Sequence, residues 1–154
     1  ADTVFNGLKA LRTQGAQLND WVLVHDAARC LITPEQIKTL IAACQEDEVG
    51  GLLALPLPDT LKHEESGRVA QTLDRSDKWL AQTPQMFRLG ALIDALEAAK
   101  LAGELITDES SAMEREGYSP KLVHGSTQNF KITYPEDFAL AEAVLLSRQL
   151  SLAK

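Results

Sequence analysis

Trp21-Val22-Leu23-Val24 runs directly into His25-Asp26-Ala27-Ala28-Arg29, and the reading of this stretch decides the fold. Consecutive apolar residues with no alternation describe a strand covered on both faces, the usual condition of a parallel sheet. Ligands of open α/β sheets sit beyond the carboxyl ends of such strands. Asp26 and Arg29 stand at that end, a cation-binding group beside an anion-binding one, a combination that suits a metal-bound phosphate. A capped strand end with a local ion pair has the same spacing, so these residues alone leave both readings open.

Upstream, Asp2 to Leu11 has helical spacing. Val4, Leu8 and Leu11 fall on one face, and Asp2 or Thr3 can cap it. Gln14 to Asp20 is a polar loop. Downstream, Thr33-Pro34-Glu35-Gln36 supplies an N-cap, a proline at the first helical position and a capping-box glutamine. The helix that follows runs to about Glu46 on the stripe Ile37, Leu40, Ile41, Cys44. Gly50-Gly51 breaks the pattern, and Leu52 to Leu55 is a second buried strand. Strand, helix, strand is the rhythm of an α/β fold with a mostly parallel, twisted sheet.

Pro56 to Arg75 departs from that rhythm. Asp59 to Lys62 and Val69 to Leu73 flank the turn Glu64-Glu65-Ser66-Gly67, which predicts a protruding β-hairpin arm over 56–75. A hairpin with so little apolar surface is marginal alone and calls for a partner, most simply a second copy of the chain. Gln82-Thr83-Pro84-Gln85 reads as a proline-fixed turn. Leu89 to Ala102 is an apolar helix stopped at Gly103. Thr107-Asp108-Glu109 opens another, which ends at Gly117. Lys121 to His124 and Phe130 to Thr133 read as strands, and Tyr134-Pro135-Glu136-Asp137 starts a last helix that runs to about residue 150. Residues 1–154 show no repeat or linker and read as one domain with one arm.

The 154 residues are 45% hydrophobic and 24% charged, enough for a real core. A net charge of −7 argues against non-specific nucleic-acid binding. Cys30 and Cys44 lack metal-site spacing and read as ordinary thiols of a reducing cytoplasm. No apolar stretch has the length of a membrane span. His25, His63 and His124 have no triad spacing with a serine and Ser110-Ser111 lacks a nucleophile-elbow context, which argues against a serine hydrolase, and no Gly-rich phosphate loop is present in these 154 residues. Lys131, Thr60, Thr83 and Arg75 have chemistry suited to a phosphate and a polyol. Each also fits ordinary strand, hairpin or turn chemistry.

The segments VHDAAR (24–29), DTLK (59–62), LDR (73–75), QTPQMF (82–87), ITDE (106–109) and NFKITYPED (129–137) occur in this order. Together they resemble the 2-C-methyl-D-erythritol 4-phosphate cytidylyltransferases of non-mevalonate isoprenoid biosynthesis. Cys30 departs from the family's usual proline after the arginine. The resemblance implies a Rossmann-like nucleotidyltransferase fold. It also implies that an opening strand and a Gly-rich loop with an arginine and a lysine belong before Ala1, beside Trp21–Val24, so that these residues form the C-terminal two-thirds of the family's length.

The implied reaction joins methylerythritol phosphate to CTP with release of pyrophosphate, assisted by Mg²⁺ or another divalent cation. By resemblance, Asp26 positions the metal–nucleotide, Arg29 is a supporting anion contact and Lys131 touches the transferring phosphate. Thr3 and Ala27 match nucleoside contacts. Thr60, Arg75 and Thr83 match contacts to methylerythritol phosphate, made in the partner's site by an arm that crosses within a homodimer. The alternatives are a ribitol 5-phosphate cytidylyltransferase, a non-catalytic dimerisation fragment and a plain α/β binding protein.

Overall fold

Met86 and Phe87 are neighbours on one strand, both fully buried, and they point into two separate cores. Successive strand residues face opposite sides of a sheet, so this sheet is covered on both. The computed structural model describes residues 2–152; Ala1, Ala153 and Lys154 lie outside the described residues. In chain order the elements are α1 (Asp2–Thr13), β1 (Trp21–Val24), α2 (Pro34–Cys44), β2 (Gly50–Pro56), β3 (Leu61–Glu65), β4 (Arg68–Leu73), β5 (Trp79–Arg88), α3 (Leu89–Leu101), α4 (Glu109–Arg115), β6 (Lys121–His124) and α5 (Pro135–Leu152).

On one face, Leu8 of α1, Val22 of β1, Phe87 of β5, Leu89, Leu92 and Leu96 of α3 and Met113 of α4 form a single cluster. On the other, Leu40 and Cys44 of α2 pack with Leu53, Met86 and Val123. α2 starts as its sequence demands: Thr33 accepts from Gln36 N–H, and the Gln36 side chain returns to Thr33 N–H.

The sheet order is β1-β5-β2-β6, and it corrects the expectation of a mostly parallel sheet. β5 runs antiparallel to both β1 and β2, and β2 is parallel only to β6. The sheet is mixed. β1 and β2 do share a direction, as the strand–helix–strand reading requires, but β5 is inserted between them.

The expected turn at Gln82–Gln85 is part of β5. Ladder pairs run from Trp79 to Ala81 and from Gln85 to Phe87 against β2, and between them Gln82, Thr83 and Pro84 face only Leu53. Proline cannot donate to a ladder and is tolerated at such a bulge. The Thr83–Pro84 peptide is cis.

Gly50-Gly51 opens β2 instead of ending the pattern. A Cβ on Gly50, whose φ is +106°, would lie 2.1 Å from the Met86 carbonyl oxygen, and one on Gly51 would lie 2.3 Å from that of Lys121. Only glycine lets both neighbouring strands approach this closely. Phe130 to Thr133 is irregular loop, not the expected strand.

β3 and β4 pair only with each other. Ser66 and Gly67 both have positive φ at the hairpin tip, the backbone of a type I′ turn. The strands fall inside the predicted 56–75 arm, whose first residue, Pro56, is the end of β2. Among the described residues no helix is long and apolar enough to cross a membrane.

Candidate active site

The chain leaves β1 at Val24 and turns through Asp26 to Arg29, with Arg29 N–H donating to the Asp26 carbonyl at 2.9 Å. This turn leaves Asp26 Oδ2 4.0 Å from Arg29 Nε. Lys131 arrives from the loop between β6 and α5, its Nζ 3.0 Å from the same carboxylate oxygen.

The loop is irregular yet firmly held. Ile132 N–H donates to the Ala28 carbonyl at 2.9 Å. Asn129, fully buried, donates to the Thr83 carbonyl at 2.9 Å, while its own carbonyl accepts from Arg29 Nη1 at 2.7 Å. Arg29 Nη2 donates to the Ala81 carbonyl at 3.2 Å.

The β5 bulge supplies the third wall. Gln82 donates to the Ser126 carbonyl at 2.9 Å, tying the bulge to the Lys131 loop. Thr83 Oγ1 accepts the Asp26 backbone N–H at 3.0 Å and contacts His25 Nδ1 at 3.0 Å. Behind it, Gln85 donates to Asp108 Oδ2 at 2.9 Å and accepts from Ser110 N–H at 2.7 Å. Asp108 also caps α4 through Ser111 N–H at 3.0 Å, as its position before the helix predicts. Asp26, Arg29, Gln82, Thr83, Thr107, Asp108 and Lys131 line a cavity of about 270 Å³.

The cavity carries two cations against one carboxylate at the β1 end. Burial lowers the Arg29 pKa, opposed by the neighbouring Asp26 charge, and an arginine still stays protonated. Its Nε and Asn129 Oδ1 are the buried side-chain polar atoms left without a hydrogen-bond partner among the described residues. Glu109 is buried beside the site, and that burial raises its pKa, with Asp108 and Asp26 adding to the effect.

The structure therefore brings together Asp26, Arg29, Lys131 and Thr83; Thr83, expected to act with the arm in a partner's site, lies on β5 and lines the cavity of its own chain. The other expected site residues lie elsewhere in this chain. Thr60 is exposed just before β3. Arg75 donates to the Leu57 carbonyl at 3.0 Å and to that of Pro58, closing the base of the arm. Thr3 is exposed in the first turn of α1, and Ala27 is exposed in the Asp26 turn. Asn129, Gln82 and His25 are the residues that sequence reading left out of the site. The signal for all three was adjacency, since Asn129, Gln82 and His25 sit inside the segments that carry Lys131, Thr83 and Asp26.

The donor set limits how a divalent cation can bind. Among the described residues, no group of three or more His, Cys, Asp or Glu side chains is placed to hold a metal ion. Both Asp108 oxygens are engaged by Ser111 N–H and Gln85, which leaves Asp26. One carboxylate fits Mg²⁺ carried on substrate phosphates and does not fit a protein-caged ion.

Residues 1–147 match the family model described as "IspD: 2-C-methyl-D-erythritol 4-phosphate cytidylyltransferase". A bifunctional enzyme IspD/IspF of Albidiferax ferrireducens is 70% identical over 148 residues, covering 96% of this chain and 35% of that protein. A 2-C-methyl-D-erythritol 4-phosphate cytidylyltransferase of Burkholderia multivorans is 56% identical, covering 93% of this chain and 61% of its own length. A crystal structure of 4-diphosphocytidyl-2C-methyl-D-erythritol synthase superposes with a TM-score of 0.85 at 45% identity, over 93% of this chain and 65% of that one. The chain thus spans less than two-thirds of these relatives. With the strand-end cluster and matching fold in place, the chain belongs to the IspD family of 2-C-methyl-D-erythritol 4-phosphate cytidylyltransferases.

Proposed function

We propose that this chain carries active-site residues of a cytidylyltransferase. The reaction joins 2-C-methyl-D-erythritol 4-phosphate and CTP to give 4-diphosphocytidyl-2-C-methyl-D-erythritol and pyrophosphate. The observation that carries this reading is the convergence of Asp26, Arg29, Lys131 and Thr83 on one cavity in a member of the family.

The nucleophile is an oxygen of an ionised phosphate monoester, so no strong general base is needed. The difficulty is to hold two polyanions in line and to stabilise charge at the α-phosphorus. Lys131 is assigned to the transferring phosphate and Arg29 to a supporting anion contact, and their fixed contacts make them preorganised donors. Asp26 keeps Lys131 aimed until phosphate arrives and then faces the metal–nucleotide. Mg²⁺ bound on the triphosphate supplies further charge neutralisation. Thr3 and Ala27 are assigned to the nucleoside.

Thr60 and Arg75 belong to the arm and are assigned to the cavity of a second copy. Two features support that assignment: neither lines the cavity of its own chain, and the arm pairs only with itself. A cytoplasmic setting is supported by the free thiols of Cys30 and Cys44.

The test is pyrophosphate release with CTP, Mg²⁺ and either methylerythritol phosphate or ribitol 5-phosphate. Turnover with the first supports the reading. Turnover with ribitol phosphate alone moves the assignment to that substrate. A folded dimer that binds no CTP in calorimetry and releases no pyrophosphate is a non-catalytic fragment.

A further inference from the structure

His25 is absent from the mechanism above, yet it makes two directed contacts. Its Nε2 lies 3.1 Å from the Arg29 carbonyl oxygen and its Nδ1 lies 3.0 Å from Thr83 Oγ1. A carbonyl oxygen can only accept, so Nε2 carries the proton. Nδ1 of the neutral ring is then a lone pair, and the Thr83 contact is a hydrogen bond only when the hydroxyl donates. The same oxygen already accepts the Asp26 backbone N–H at 3.0 Å. A threonine hydroxyl has one proton and two acceptor positions. Here the proton and one acceptor position are taken, and one lone pair remains.

We propose that His25 is a positioning residue. By taking up the Thr83 hydroxyl proton it turns a lone pair of Thr83 toward the cavity, so that Thr83 meets an alcohol hydroxyl of the ligand and not a phosphate oxygen. The inference rests on the active-site reading of the preceding subsection and divides that site in two. Arg29 and Lys131 line the same cavity and have only donors, which suits the phosphate. Thr83 keeps a free acceptor, which suits a hydroxyl of a polyol. The relay runs from Asp26 N–H to Thr83, from Thr83 to His25, and from His25 to the Arg29 carbonyl. It therefore also braces the turn that carries both charged residues.

The first test needs no ligand. Long-range ¹H–¹⁵N spectra of the histidine rings, with His25 assigned by loss of its signals in His25→Asn, should show the Nε2–H tautomer. An Nδ1–H tautomer overturns the relay. The second test is calorimetric, with methylerythritol phosphate and inorganic phosphate as separate probes. Thr83→Val should weaken methylerythritol phosphate about tenfold more than it weakens inorganic phosphate, the loss of one hydrogen bond to the ligand on top of any loosening of the turn. Thr83→Ser should retain affinity.

His25→Phe should weaken methylerythritol phosphate like Thr83→Val. His25→Asn, whose side-chain oxygen can stand where Nδ1 does, should restore most of the affinity. Equal weakening of both probes by Thr83→Val overturns the alcohol assignment. Failure of the wild-type chain to bind any sugar phosphate sinks the functional reading and the alcohol assignment with it, while an Nε2–H tautomer would still uphold the relay.

Discussion

Lys131 Nζ stands 3.0 Å from Asp26 Oδ2, although the two residues come from segments on different sides of the sheet order. Both side chains are more than one-third exposed, at 51% and 40%, so the pair contributes no more than about 1 kcal/mol to stability. Its value lies in aiming a cation. Lys131→Met should lower kcat by about 10²–10³, the effect of one preorganised electrostatic donor. The melting temperature should move by less than about 4 °C. Pyrophosphate release and a thermal melt on the same sample check both halves.

Arg75 and Lys131 lie in different parts of one chain but in one proposed site across a dimer. Lys131→Ala and Arg75→Ala, each nearly inactive alone, should complement when mixed and allowed to exchange subunits. One site of each mixed dimer then holds both native residues, so activity should return to about a quarter of wild type. An arm that works within its own chain gives no recovery. Arg75→Ala alone should also raise KM for methylerythritol phosphate far more than KM for CTP.

Asn129 is fully buried, and its side-chain amide donates to the Thr83 carbonyl. Asn129→Ala removes that contact and leaves a buried acceptor unpaired, at a cost of about 2 kcal/mol. The melting temperature should fall by about 4–8 °C.

Gly50 and Gly67 both have positive φ but face different surroundings. A Cβ on Gly50 meets the Met86 carbonyl, whereas one on Gly67 meets nothing within 4 Å. Gly67→Ala should cost only the local backbone term of about 1–2 kcal/mol. Gly50→Ala should cost more than about 4 kcal/mol, because two strands must separate. Denaturant midpoints of the two variants check the difference.

Glu109 is a buried carboxyl with a raised pKa. The unfolded chain ionises this group more easily than the folded one, so its charge opposes folding at neutral pH. Glu109→Gln should therefore be the more stable protein at pH 7. The advantage should shrink as pH falls through the folded pKa and vanish below the ordinary value of 4.5. Stability curves at several pH values read this directly.

α2 was legible because Thr33-Pro34-Glu35-Gln36 carries its own start signal, and the hairpin because Ser66-Gly67 punctuates two extended flanks. Asp26 and Arg29 were legible for a similar reason, standing where an apolar run stops. β5 was not. Pro84 reads as a turn, and Gln82 and Thr83 before it form no ladder with β2. That β5 enters between β1 and β2 is a long-range pairing that no local pattern reports. The loop that carries Lys131 alternates apolar and polar residues like a strand, yet it pairs with no other strand among the described residues. Asn129, the residue that anchors it, belongs to a type usually found at the surface.

The insertion of β5 also sets how the molecule comes apart. Met86 and Phe87 lock one strand into the cores on both faces, so neither helical layer can detach without disrupting the other. The sheet and its helices should open as one cooperative unit, with β5 amides exchanging with solvent only when the whole domain opens, which native-state hydrogen exchange would read. The arm shares neither core and should open separately, at lower free energy. The binding cluster is thus anchored through Thr83 and Asn129 to the strand that joins the two cores, while the segment proposed to complete it in another copy shares neither core.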